Sequence, residues 1–389
     1  MFVSFALVFL FGLLAGFIFE KLHLPKLVGM LVVGMVLGPY ALGMLDEKIL
    51  LIAPELRQFA LLLILTRAGL ALDLEDLKRV GRPAVLLCFL PACFEMLGMV
   101  LLAPRLFGIS VMEALILGAV VGAVSPAVIV PRMLHLMEQG YGTKKAIPQM
   151  IMAGASVDDV FVIVVFTAAI SVVGSGSASL TSILDVPVSI GLGIIAGIVI
   201  GWLFVHAFRK WHIRDTNKVI LILGVSFCLV AMEQLAVPFS GYLAVMSLGI
   251  MINKKYPVLA KRLSVKYSKL WIAGEIMLFV LVGAAINFAY AWQAGLQAVL
   301  LILFALLFRI IGVWFCLIHS GLEAKEKLFC MVAYLPKATV QAAIGAIPLS
   351  MGLACGDLVL TIAVLAILIT APLGAWGIDM LYAKLLTNR

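Results

Sequence analysis

Apolar residues occupy this chain in blocks of about 18–25, the length a helix needs to cross a hydrocarbon core of about 30 Å. Thirteen such spans are predicted, centred near residues 11, 35, 64, 93, 121, 160, 197, 226, 245, 278, 307, 337 and 370. The first, FVSFALVFLFGLLAGFIF, has no basic leader and no clear small-residue cleavage site, so it reads as a retained helix and not as a signal peptide. Between spans 6 and 7, GSGSASLTS (residues 174–182) reads as a flexible outer loop, and no connection is long enough for a soluble domain. The expectation is an all-α polytopic membrane protein, with residues 1–389 forming one integral membrane domain.

Composition agrees. Of 389 residues, 64% are hydrophobic and 12% charged, and mean hydropathy is +1.20; soluble domains carry about 25% charged residues. A formal charge of +8 would suit nucleic acid, but its distribution points to topology. The segments after odd-numbered spans, with the C-terminus, hold 22 of the 28 Lys and Arg, whereas the opposite side holds only Lys48, Arg57 and Arg105. Basic residues gather on the cytoplasmic side, which predicts an outer N-terminus, an inner C-terminus and no nucleic-acid partner. The densest block, Lys254–Lys269, reads first as part of this signal, with an anionic-lipid site as the alternative. Cys88, Cys93, Cys228, Cys316, Cys330 and Cys355 all fall inside apolar spans at no metal-ligand spacing and are expected to be buried free thiols.

The spans pair at an offset of seven. Span 2 (GMVLGPYALGML) matches span 9 (GYLAVMSLGIMINKKYP), and span 3 (LLLILTRAGLALDL) matches span 10 (IMLFVLVGAAINFAY). Span 5, interrupted at AVSPAVIVP by Pro126 and Pro131, matches span 12, interrupted at LPKATVQAAIGAIP by Pro336 and Pro348. Seven is odd, so partners cross in opposite directions. Two inverted six-span repeats result, spans 1–6 and 8–13, joined by span 7. A proline inside a helix removes a hydrogen bond and clashes with the preceding turn. Within a bilayer such backbone survives only against protein or a water-filled cavity, and paired breaks in inverted repeats mark transporter sites near the midplane.

Counted at 1.5 Å per residue, five charges reach one depth. Asp158 and Asp159, adjacent in AGASVDDVFVIVV, lie roughly 18–20 Å into span 6; Glu95 and Lys337 lie roughly 18 Å into spans 4 and 12; Arg309 lies roughly 20 Å into span 11 from the outer face. A charge there costs on the order of 2.5–3.5 kcal/mol and is a mark of ion paths. For Glu95 and Arg309 a structural ion pair and a functional one are both open readings. Neighbouring helical residues point about 100° apart, so one base does not neutralise both aspartates, and the two titrate as a coupled unit. A carboxylate so placed holds a proton or a small hard cation, but not both at once. Oxygen ligands suit Na⁺ and Li⁺, and the candidate site is Asp158 and Asp159 with Ser125, Ser156 and Thr339. Each hydroxyl has backbone capping as its competing role. Competition at one site gives exchange, provided the site opens to each side in turn.

LTRAGLALDLEDLKR, GAVSPAVIVPRML, AGASVDDV and LPKATVQAAIGAIPL resemble the monovalent cation:proton antiporter superfamily, and within it the NHA branch of sodium/proton antiporters. The resemblance runs from span 2 to span 13. It implies a homodimer of NapA-like protomers with crossed broken helices in the inner (plasma) membrane. Residues 1–80 and 217–292 would form the dimerisation scaffold, 81–175 and 293–389 a mobile ion-carrying core, and 183–212 the linker, with an elevator-like motion between scaffold and core. Asp159 would be the main carrier with Asp158 beside it. Electrogenic relatives keep a lysine where this chain has Arg309, and arginine does not readily release its proton. Glu95 would then neutralise Arg309 and leave Asp158 free, which brings electroneutral exchange into play, and Lys337 would be a fixed balancing charge.

The expected function is sodium (or lithium)/proton antiport, with Na⁺ or Li⁺ and H⁺ as cargo and no cofactor. A potassium/proton antiporter and a same-fold organic-anion symporter are the alternatives. A membrane aspartyl protease needs acids from separate helices sharing one proton, which neighbours on a single helix do not supply, so no enzyme activity is expected. His23, His135, His206, His212 and His319 lie near span ends and read as interfacial, with pH tuning as the competing role. Asp73, Glu75 and Asp76 read as a solvated acidic face, against a cation funnel.

Overall fold

The computed structural model describes residues 1–72, 81–174, 180–232 and 239–388, and every regular element among them is a helix. The first are α1 (Phe2–Lys21), α2 (Lys26–Leu37), α3 (Glu47–Leu51) and α4 (Ala53–Ala71). Next come α5 (Arg82–Leu87), α6 (Leu90–Phe107), α7 (Val111–Gly122), α8 (Pro126–Gln139), α9 (Ile147–Gly174), α10 (Leu180–Lys210) and α11 (Asp215–Met232). The rest are α12 (Gly241–Lys255), α13 (Pro257–Ala284), α14 (Phe288–Cys316), α15 (Ala324–Ala333), α16 (Thr339–Gly345), α17 (Ile347–Ser350) and α18 (Gly356–Leu385). Helices satisfy their own backbone polar groups, which is what a hydrocarbon solvent demands. Among the described residues nine helical stretches are long and apolar enough to cross a membrane, with Lys26–Leu37 and Thr339–Ser350 as shorter apolar helices. Twelve of the thirteen predicted centres lie in helices; residue 337 lies between α15 and α16.

Two compact units are present: Met1–Pro54, Leu74–Phe166 and Ile276–Arg389 in the first, Glu55–Asp73 and Thr167–Glu275 in the second. The core of the first gathers Leu87, Ile129, Ile151, Phe329 and Tyr334 around the ends of its broken helices. The second is built on close helix contact: a Cβ added at Gly193, Gly197 or Gly201 of α10 would meet the carbonyls of Ser240, Ala244 and Leu248. Small residues at four-residue spacing let membrane helices approach to backbone distance. At one end of this unit Arg262 pairs with Asp215 at 2.9 Å, and Arg209 donates to the Lys255 carbonyl at 2.6 Å.

Several expectations need correction. Pro131 does not interrupt span 5; the chain leaves the helix only at 123–125, and Pro131 stays inside α8. Cys93 and Cys228 are exposed, not buried, although all six thiols are free. Thiols behave as small apolar groups, and on an apolar helix an outward position costs them little. Of the expected loop 174–182, residues 175–179 lie outside the described residues and α10 already begins at Leu180. Asp73, Glu75 and Asp76 also lie outside the described residues. Arg309 is the twenty-second residue of α14, which starts at Phe288.

Candidate functional site

Proline placement sets both breaks. The residue before a proline is disfavoured in helical conformation; accordingly Ser125 (φ −92°, ψ 108°) is extended and α8 restarts on Pro126, while Ala123 (φ −75°, ψ 144°) has already left the helix. Proline suits a first helical position, where its missing N–H would be unpaired anyway. In the second break α15 stops at Ala333, Pro336 follows, and α16 begins at Thr339.

The freed backbone groups find partners across the breaks. Ser125 N–H donates to the Pro336 carbonyl at 2.8 Å. The Gln341 carboxamide accepts from Ala338 N–H at 2.8 Å and donates to the carbonyls of Val121 at 3.2 Å and Ala123 at 2.7 Å. Lys337 N–H donates to Thr370 Oγ1 of α18 at 2.9 Å. Behind the second break Gly374 packs on the Pro336 ring, where a Cβ would collide with it.

Four fully buried charges meet here. Arg309 Nη1 donates to Glu95 Oε2 at 2.7 Å and also to the Gly122 carbonyl, while Nη2 donates to Asp158 Oδ2 at 3.0 Å. Its Nε donates to the Tyr334 carbonyl at 2.6 Å, and the guanidinium carbon lies 5.7 Å from the centre of the Tyr334 ring. Lys337 Nζ lies 2.5 Å from the same Glu95 oxygen. Asp158 Oδ2 additionally accepts Val124 N–H at 2.8 Å. Two acids, Glu95 and Asp158, thus face two bases, Arg309 and Lys337. Asp159 stands outside that balance: 8% exposed, it makes no ion pair among the described residues, and its Oδ1 has no hydrogen-bond partner.

Arg309 holds both Glu95 and Asp158, so the expectation that Asp158 would be left free is corrected. The fan of guanidinium N–H groups serves two carboxylates at once, which a count of charges along the sequence does not reveal. Ser125 Oγ and Thr339 Oγ1 are buried without partners, as is Asp158 Oδ1. Ser156 takes the backbone role, its Oγ donating to the Met152 carbonyl at 2.8 Å. Sequence reasoning missed Gln341, Thr370 and Tyr334; an uncharged polar residue inside a small-residue stretch, as in TVQAAIG, was the available signal for the first. The arrangement can hold a single cation or proton among oxygens, beside a charge cluster that is already balanced.

The fold and the sequence both have counterparts among known proteins. The sodium proton antiporter MjNhaP1 from Methanocaldococcus jannaschii superposes with a TM-score of 0.84 over 98% of this chain and 97% of its own, at 22% identity, a likeness of fold. Human sodium/hydrogen exchanger 9B2 is 33% identical over 382 residues, covering 93% of this chain and 70% of the relative. Human sodium/hydrogen exchanger 9B1 is 32% identical over 383 residues, covering 94% and 73%. The family described as "Sodium/hydrogen exchanger, transmembrane" matches residues 5–383. With that match over nearly its whole length, the chain belongs to the sodium/hydrogen exchanger family, a family of transporters and not of enzymes.

Proposed function

We propose that this chain exchanges Na⁺, or Li⁺, for H⁺ across the membrane, with Asp159 taking one or the other. The observation that carries the reading is the isolation of Asp159 beside a balanced cluster of two acids and two bases. One cation or one proton neutralises it. With the charge of that cluster held fixed, the exchange is one for one and electroneutral, since Asp159 makes no ion pair among the described residues. The unpartnered oxygens Asp158 Oδ1, Ser125 Oγ and Thr339 Oγ1 supply hard ligands of the kind Na⁺ prefers.

The same reading extends to architecture. Thirteen spans in two inverted repeats, N-terminus out, would carry the site between the two sides by an elevator motion. Residues 1–80 and 217–292 would form the scaffold of a homodimer in the plasma membrane and residues 81–175 and 293–389 its moving core. The basic stretch Lys254–Lys269 would lie against anionic lipid.

The test is transport in proteoliposomes with an interior pH dye. External Na⁺ or Li⁺ should alkalinise the interior at a rate unaffected by clamped membrane potential. A voltage-dependent rate would exclude electroneutral exchange, and a response to K⁺ alone would reassign the cation. No alkalinisation by any of the three, from mildly acid to mildly alkaline pH, would overturn the antiporter reading.

A further inference from the structure

Ending α7 at Gly122 leaves its last carbonyls without intrahelical donors, at a place where water does not substitute. Side chains supply the donors instead: Gln341 serves Val121 and Ala123, and Arg309 serves Gly122. Gln341 is fully buried. Its carboxamide also closes the start of its own helix by accepting from Ala338 N–H. One group therefore accepts on one side and donates twice on the other, a combination that neither a carboxylate nor an apolar side chain offers.

The Ala123 carbonyl and the Val124 N–H belong to the same peptide unit, which is planar and rigid. Gln341 Nε2 holds the oxygen edge of that plane at 2.7 Å, and Asp158 Oδ2 receives the hydrogen edge at 2.8 Å. Fixing one edge aims the other. Without the Gln341 donor the plane can rotate about its flanking bonds, and Asp158 loses the one backbone hydrogen bond it receives among the described residues.

We propose that Gln341 is a positioning residue for cation binding: it locks the Ala123–Val124 peptide so that its N–H anchors Asp158 beside the carrier Asp159. This rests on the antiport reading above. Gln341 touches no cargo; it acts through the peptide and through Asp158.

The test compares wild type with Q341M and Q341E in the proteoliposome assay, with Na⁺-dependent thermal stabilisation of the purified protein as a second readout. Q341M, similar in volume but without donors, should raise the apparent KM for Na⁺ about tenfold with little change in maximal rate, and should need correspondingly more Na⁺ for stabilisation. Q341E should behave like Q341M at alkaline pH and approach wild type at acid pH, because a protonated carboxyl regains one donor. A wild-type KM in Q341M, a fall in maximal rate at unchanged KM, or a Q341E profile parallel to wild type would each overturn the proposal. Should Q341M not fold, the Q341E profile carries the test alone. Wild-type protein that does not exchange retires the function itself, whereas wild-type exchange with unaltered variants retires only the role of Gln341.

Discussion

Ser125 donates its backbone N–H to the carbonyl of Pro336 at 2.8 Å, so the break after α7 and the break before α16 share a hydrogen bond. Neither break can shift alone without stranding a buried polar group, which costs about 1–3 kcal/mol. The Pro336 ring is itself seated on Gly374 of α18. Gly374→Ala should therefore push Pro336 into the break and destabilise the protein by about 1–3 kcal/mol, as overpacking does. Thermal unfolding in detergent measures this. An unchanged midpoint would mean that the ring yields without disturbing its surroundings.

Glu95 is the common acceptor of Arg309 and Lys337. Glu95→Gln removes the charge and leaves two fully buried bases facing Asp158 alone, a loss on the order of 3–5 kcal/mol for breaking a buried pair. Adding Lys337→Met should recover part of that loss by restoring one acid to one base. Comparing unfolding midpoints of the single and double variants checks it; no recovery would show that Lys337 is not the residue left uncompensated.

Asp159→Asn should abolish both exchange and Na⁺-dependent stabilisation while leaving the folded protein at least as stable as wild type. The substitution removes a lone buried charge and strands no base, since Asp159 makes no ion pair among the described residues. Asp158→Asn differs in sign, because it takes a partner from Arg309, and it should lower the unfolding midpoint. A destabilised Asp159→Asn protein would contradict this division between the two neighbours.

Away from the membrane-spanning helices, Lys145 in the turn between α8 and α9 lies 2.7 Å from Glu326 at the start of α15. The hydrogen bond to Glu326 is the main influence holding the Lys145 amine above its ordinary value of 10.5. A folded value above the unfolded one means that the stabilising contribution is fully present below pH 10.5 and is lost as pH rises through the folded value. The difference in unfolding midpoint between wild type and Lys145→Met should thus stay constant from neutral to mildly alkaline pH and shrink only beyond 10.5. A difference that already fades near neutrality would place the titration elsewhere.

Much of this was legible along the chain because lipid imposes a coarse rule. Apolar runs locate helices, and Asp158, Asp159, Glu95, Arg309 and Lys337 stood out as charges where charge is costly. Prolines 126 and 336 located the breaks for a local reason, the restriction on the preceding residue. What stayed hidden depends on direction and not on position. That Arg309 reaches both Glu95 and Asp158 follows from how three helices aim their side chains, and hydropathy carries no phase. Depth counting brought Arg309 to the level of Glu95 and Asp158, and the residue joins their cluster. Gln341 and Thr370 escaped because a single uncharged polar residue in a span is common, and only the unpaired backbone beside it shows its use.

The solitude of Asp159 bears on leakage. Unloaded, its carboxylate is a bare charge that the bilayer interior penalises by on the order of 2.5–3.5 kcal/mol; loaded with a proton or with Na⁺, it is neutral. On the antiport reading an empty carrier is therefore held on the side where it was emptied until something binds. On the same reading, slippage would be suppressed by the want of an ion-pair partner for Asp159 among the described residues.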